Sequence, residues 1–169
     1  MSDGARVIVG VSGSLNSLTA LHRAVDEARA RRAVLVPVLA WTPVGGERNY
    51  RAQPCPPLLR AWEEAADERL ERAFRDAFGG FPVGVRVEPL VVRGETGPML
   101  TRIADRPNDL LVVSTGRQGG LRRLLHGSVS RYCLAHATCP VVAVPPSTLH
   151  SDLRRVAHIV DLRELSHAA

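Results

Sequence analysis

Two stretches of the chain gather glycines and hydroxyl side chains at spacings that suit anion binding. Gly10-Val11-Ser12-Gly13-Ser14 leaves a short apolar run and opens an amphipathic one. Ser114-Thr115-Gly116-Arg117-Gln118-Gly119-Gly120 leaves a second apolar run and leads on to His126-Gly127-Ser128-Val129-Ser130. Glycine lets the backbone come close to a phosphate, and the free N–H groups at a helix start can bind it. Ser128 and Ser130 would add hydroxyl donors, and Arg117, Arg122 and Arg123 would add positive charge. Covalent chemistry has less support. Ser12, Ser14 and Ser128 lack a Gly-x-Ser-x-Gly elbow and a His-Asp pattern, so they read as caps and hydrogen-bond donors. His126 reads as a loop histidine, and His22 and His136 as surface or boundary residues without a paired carboxylate. Glu95, Asp105 and Asp109 match no metal-loop spacing and read as solvated turn positions. Arg69, Arg72 and Arg75 interleave with Glu68, Glu71 and Asp76, the pattern of a mixed-sign solvated helix face.

Composition narrows the classes further. A chain of 169 residues, 45% apolar and 23% charged, is one ordinary globular domain. Its 22 basic residues are all arginine. The lack of lysine excludes a P-loop lysine, a lysine Schiff base and a lysine general base. The net charge of +5 favours anionic ligands. A nucleic-acid role would rest on this excess alone, because no aromatic platform accompanies Arg117–Arg123. Cys55, Cys133 and Cys139 form no C-x-x-C pair, which points to a reducing cytoplasm, with Cys133 and Cys139 buried and Cys55 exposed. The residues before Val7 show no signal-peptide pattern, and no apolar stretch approaches membrane-spanning length.

Both candidate loops need elements to aim them. Val7–Val9, Val34–Ala40, Val85 to Val92, Leu110–Val113 and Val141–Val144 read as strands. Helical periodicity falls between them: from Leu15 through Ala28, over Leu58–Phe78, from Pro98 past Ile103, and over Leu124–Ala137. Ser14 or Asn16 would cap the first helix and Gly79-Gly80 would end the second. Gly45-Gly46 and several prolines make Thr42–Pro57 a loop. Pro89 suits an edge strand, whereas Pro37 predicts a bulge or fraying in an interior one. Alternating strands and helices demand parallel pairing, hence an α/β fold with an open five-stranded parallel sheet and helices on both faces. Residues 1–146 form that domain. Residues 147–169 form an extension, with one amphipathic helix expected from about Asp152 to Leu165.

The same residues carry a family resemblance. Gly10-Val11-Ser12-Gly13-Ser14, then Asp109-Leu110-Leu111-Val112-Val113 through Gly127-Ser128-Val129-Ser130 to Cys139-Pro140-Val141-Val142-Ala143-Val144-Pro145, resemble the universal stress protein family, in its Arg-rich actinobacterial form. The resemblance covers roughly residues 5–146. It implies strand order 3-2-1-4-5 and a homodimer through the last strand (Val141, Val142, Ala143, Val144). It also implies, in some members, ATP or AMP held by a Gly-x2-Gly-x9-Gly-Ser pattern. In those members an Asp after the first strand meets the adenosine, and backbone at the end of the second strand meets adenine.

This chain departs from that pattern. Counting back from Gly127, the earlier glycine positions hold Ser114 and Arg117; Gly116 and Gly119 keep their mutual spacing but stand too near Gly127. Ser12 occupies the Asp position. The resulting expectation is a non-enzymatic small-ligand-binding or signalling module, with an adenine nucleotide (ATP or AMP) in the crevice between the first and fourth strands. Its contacts would come from Val11, Ser12, Gly13, Ala40, Ser114, Gly116, Arg117, Gly119, Gly127, Ser128, Val129 and Ser130, with no metal. The alternatives are a dimerisation module without a nucleotide, and a slow ATPase.

Overall fold

The computed structural model of the protein describes residues 4–115 and 128–147. In chain order its elements are β1 (Arg6–Gly10), α1 (Leu15–Arg31), β2 (Val34–Trp41), α2 (Gly46–Ala52), α3 (Pro56–Phe78), β3 (Leu90–Arg93), α4 (Thr96–Ile103), β4 (Leu110–Ser114), α5 (Val129–His136) and β5 (Val141–Val144). The strands form one five-stranded sheet in the order β3-β2-β1-β4-β5, all pairs parallel. Helices cover both faces, as the alternation of strand and helix predicts.

Side-chain alternation along the strands sorts the core into two layers. Val7, Val9, Leu35, Leu39, Leu110 and Val112 face α1 and α3, where they meet Leu21, Val25, Leu70 and Phe74. Ile8, Val36, Val38, Leu111 and Val113 face the other way, onto Leu100 of α4 and Cys133 of α5. α1 starts at Ser14, whose hydroxyl accepts from the Ser17 N–H at 3.3 Å. α3 ends at Gly79, whose left-handed φ of 75° lets its N–H reach the Arg75 carbonyl.

Three elements differ from the sequence reading. The stretch Thr42–Pro57 is not all loop, because Gly46–Ala52 forms α2, which buries no residue. It is held by Glu47, which takes both Arg93 Nε (2.7 Å) and Nη2 (2.8 Å), and by the Arg93 guanidinium over the Tyr50 ring at 4.8 Å. The third strand begins only at Leu90, and Val87 makes an isolated bridge to Leu35. Pro37 causes no fraying of β2, which runs unbroken and pairs Pro37 with Val9. Leu35 bonds toward the β3 side, donating to the Arg86 carbonyl and accepting from Glu88, whereas the Val38 carbonyl accepts from Val11 on the β1 side. Pro37 therefore turns its missing donor toward β3, and the break in that ladder falls where Pro37 and Pro89 stand opposite each other.

The start of the fourth helix at Leu124, and the extension with its helix from Asp152 to Leu165, lie outside the described residues. From Val129 on, α5 runs to His136 as the sequence predicts.

Candidate functional site

β1 and β4 are neighbours whose following helices pack on opposite faces, so the chain diverges at their carboxyl ends and leaves a crevice there. A cavity of about 170 Å³ opens at that point, lined by Gly10, Val11, Ser12, Ser17, Leu39, Ala40, Arg69, Thr96, Leu100, Val113, Ser114 and Val129. Two larger hollows continue it and share Ala40. One of about 670 Å³ runs past Trp41, Glu47, Glu95 and Tyr132. The other, of about 310 Å³, runs past Thr42, Trp62 and Arg69. The crevice thus spans the ends of β2, β1 and β4, wide enough for an extended ligand.

The β1–α1 turn presents a connected set of hydroxyls. Ser12 Oγ lies 3.0 Å from Ser14 Oγ, and the buried Ser17 hydroxyl donates to the Ser14 carbonyl at 2.8 Å while accepting from the Ser12 N–H at 3.3 Å. Gly13 turns this corner with φ +76°, a conformation that L side chains rarely adopt. On the other wall, Thr115 closes β4 by donating through both its N–H (2.8 Å) and its hydroxyl (3.2 Å) to the Val144 carbonyl. Ser128 and Ser130 share a hydrogen bond of 2.7 Å at the start of α5.

Of the residues expected from sequence, Val11, Ser12, Ala40, Ser114 and Val129 line the central cavity. Gly13 shapes the turn beside it. Ser128 caps α5 next to Val129, and Ser130 is buried beneath, so neither lines the cavity. Gly116, Arg117, Gly119 and Gly127, with Arg122, Arg123 and His126, lie outside the described residues.

Sequence reasoning missed Ser17, Thr96 and above all Arg69. Arg69 is exposed, like Glu68, Glu71, Arg72, Arg75 and Asp76, so the solvated face stands as expected, but Arg69 also lines the crevice. One turn away on α3 stand Ala65, Ala66, Arg72 and Ala73, none of them a carboxylate. Arg75, by contrast, has Glu71 at 3.5 Å. The Arg69 stem passes Gly13, its Cγ 3.5 Å from where a Cβ would stand. Asp109 is no solvated turn residue. It is 2% exposed and accepts from Arg6 Nε (2.9 Å), Arg6 Nη2 (2.6 Å) and the Arg106 N–H (3.1 Å). Those bonds hold Arg6 charged beyond the ordinary arginine range and place the pair at the amino ends of β1 and β4, far from the crevice.

The cysteines sit as expected: Cys55 exposed, Cys133 and Cys139 buried. Burial pushes the Cys133 thiol up to about 11. His22 and His136 are exposed. Among the described residues no group of His, Cys, Asp or Glu is arranged to hold a metal ion, and no helix is long and apolar enough to cross a membrane.

The universal stress protein family profile matches residues 5–145. This chain belongs to the universal stress protein family. A universal stress protein of Mycolicibacterium smegmatis is 32% identical over 143 residues, covering 83% of this chain and 45% of its own length. One from Thermus aquaticus is 31% identical over 144 residues, covering 82% of this chain and 96% of its own. The chain therefore spans under half the length of the mycobacterial relatives it matches. Among solved structures, a universal stress protein in complex with cAMP superposes with a TM-score of 0.55 at 28% identity, over 86% of this chain and 100% of that one. The strand order found here is the one that the family resemblance implies.

Proposed function

We propose that this universal stress protein is a non-catalytic ligand-binding module that takes an adenine nucleotide across the carboxyl ends of β2, β1 and β4. The observation that carries the reading is the cavity framed by Val11, Ser12, Ala40, Ser114 and Val129, open at the switch point of a parallel sheet. In this reading adenine lies toward Ala40, the ribose beside Ser12, and the phosphates toward the segment after β4. Gly13, Gly116, Arg117, Gly119, Gly127, Ser128 and Ser130 complete the set expected from sequence. ATP and AMP are the ligands that the resemblance implies, and the related protein held with cAMP supports the same chemical class. No metal is assigned to the site.

Occupancy would act by favouring one assembly state over another, since a ligand shifts an equilibrium only by its differential affinity. The surface proposed for that assembly is β5, an edge strand with Ala143 exposed, pairing with a second copy through Val141, Val142, Ala143 and Val144. Residues 1–146 are proposed as the binding domain, with 147–169 as an appendage, acting in the cytoplasm.

Isothermal calorimetry with ATP, AMP and cAMP on the full chain tests the reading. Saturable heat with at least one of them is expected, weakened in Ser114→Arg, which would fill the crevice. An absence of heat at millimolar ligand would leave the family's fold without this function.

A further inference from the structure

We infer that residues 42–53, with α2 at their centre, form a lid on the β2–β3 side of the crevice, latched by the grip of Arg93 on Glu47. The inference concerns access to the crevice. It goes beyond the nucleotide reading, because it holds whichever ligand fills the site.

Three observations converge. α2 has seven residues and buries none of them, and among the described residues no other helix or strand packs along it. So short a helix gains little from its own hydrogen bonds and stays formed only while something holds it. What holds it is polar and aromatic. Arg93, the last residue of β3, donates from Nε to Glu47 Oε1 at 2.7 Å and from Nη2 to Oε2 at 2.8 Å, and its guanidinium lies 4.8 Å from the centre of the Tyr50 ring. Tyr50 in turn meets Trp62 of α3 edge-on at 6.2 Å. Both side chains of the ion pair are about a third exposed, so water competes for them. Finally, the chain enters α2 through Gly45 and Gly46, with φ of +83° and +87°. A Cβ on Gly46 would meet nothing within 4 Å, so the backbone and not packing calls for glycine there.

The segment borders the space that its opening uncovers. Gly46 and Glu47 wall the hollow of about 670 Å³, Val44 walls that of about 310 Å³, and Trp41 lines both. Trp41 is 9% exposed. Swinging α2 away about the two glycines opens both hollows to solvent and bares Trp41. The two core layers stay intact, since no member of either belongs to α2. A segment with so little buried surface opens locally, well before the domain unfolds.

Hydrogen exchange of the full chain, read by mass spectrometry, tests the latch, and tryptophan quenching tests what it covers. Breaking a well-aligned surface pair changes an opening equilibrium by up to about fivefold. Arg93→Gln and Glu47→Gln are each expected to speed exchange across residues 46–52 by about three- to fivefold, with α1 and α3 unchanged. Added salt speeds exchange of the same residues in the parent but not in Arg93→Gln, because only the parent has a pair to screen. The two tryptophans of the chain, Trp41 and Trp62, both adjoin the lid, so acrylamide quenches Arg93→Gln more strongly than the parent. Glu47→Arg combined with Arg93→Glu reverses the pair and brings exchange back toward the parent rate. Exchange across residues 46–52 as slow as that of α1 in the parent would overturn the inference. So would a rate unchanged in both single variants, or a gain shared equally by α1 and α3. These readings are made on the free protein, so a failure of AMP to bind would sink the nucleotide reading and leave the latch to be decided by exchange alone.

Discussion

Replacing Asp109 by Asn tests what holds β1 against β4. All three hydrogen-bond partners of the Asp109 carboxylate are donors: Arg6 Nε, Arg6 Nη2 and the Arg106 N–H. Asparagine fits the same space but offers one acceptor and one donor, so at least one N–H is forced against another. Removing one partner of a buried pair costs about 3–5 kcal/mol. Here Arg6 keeps Asp105 at 2.8 Å and the Ile103 carbonyl at 3.0 Å, and its side chain is 17% exposed, which lowers the figure. The lost acceptor for Arg106 raises it again, and a net loss of about 3 kcal/mol is expected. Urea unfolding measures it as a lower midpoint with an unchanged slope. A domain with about 5–15 kcal/mol of stability survives this loss. Because the pair stands at the opposite end of the strands from the crevice, nucleotide affinity well below the melting temperature stays as in the parent. The double variant Arg6→Met with Asp109→Leu, which replaces the pair by apolar contact, regains most of the deficit. A loss below about 1 kcal/mol in Asp109→Asn would mean that the pair contributes little, and the argument from buried donors would be wrong.

Other outcomes follow from single residues. A Cβ on Gly97 would stand 2.9 Å from Tyr132 Cδ1 and 3.0 Å from Cγ. Gly97→Ala is therefore expected to cost about 1 kcal/mol net of its helix-propensity gain, and to be neutral or stabilising in a Tyr132→Ala background. Thiol titration of the native protein at mildly alkaline pH should label Cys55 alone of the three cysteines, because Cys139 is buried and the Cys133 thiol titrates only near 11; rapid labelling of all three before unfolding would refute this. Hydrogen bonds from Arg31 and Arg23 hold the Glu27 carboxyl below its ordinary value of 4.5. Its contribution is then present above that value and lost as acid protonates the folded carboxylate. Thermal melts should show Glu27→Gln less stable than the parent at neutral pH, the gap closing in acid; a gap independent of pH would point to packing instead.

Periodicity made the sheet legible because apolar burial is what builds it. Val7, Ile8 and Val9 are fully buried, and so are Leu111 and Val112, so both faces of the central strands had to be apolar. α2 left no such trace, since a helix that buries nothing has no apolar stripe. Its main anchor, Arg93 to Glu47 and over the Tyr50 ring, joins segments far apart in the chain. Asp109 hid for a similar reason. A carboxylate in a turn reads as solvated until its partner, 103 residues earlier, is seen to reach it. Pro37 was misjudged because a missing donor matters only on the side it faces, and that side is fixed by register. Of the crevice residues that sequence did find, Val11, Ser12, Ala40 and Ser114 stand within a residue or two of strand ends, where chain order alone predicts them, and Val129 opens α5.

Arg69 shows where a linear reading of charge fails and a helical one succeeds. In sequence it sits among Glu68, Glu71 and Asp76, which suggests neutralisation. On a helix, charges are compensated at three and four residues' distance, and by that count Arg75 has a partner and Arg69 has none. The element that carries it also outreaches the sheet. α3 has 23 residues, about 35 Å at 1.5 Å per residue, against about 26 Å for the eight residues of β2. α3 follows the carboxyl end of β2, so its early turns overhang the strand ends while its later ones, with Ala73 and Phe74, complete the core. Arg69 stands beside Leu70, on a turn that already meets the core, and lines the crevice while staying exposed. The excess arginine of this chain is thus not uniform surface charge: among the described residues Arg69 is the one charged side chain at the central cavity, its stem packed beside the turn that carries the uncharged Ser12.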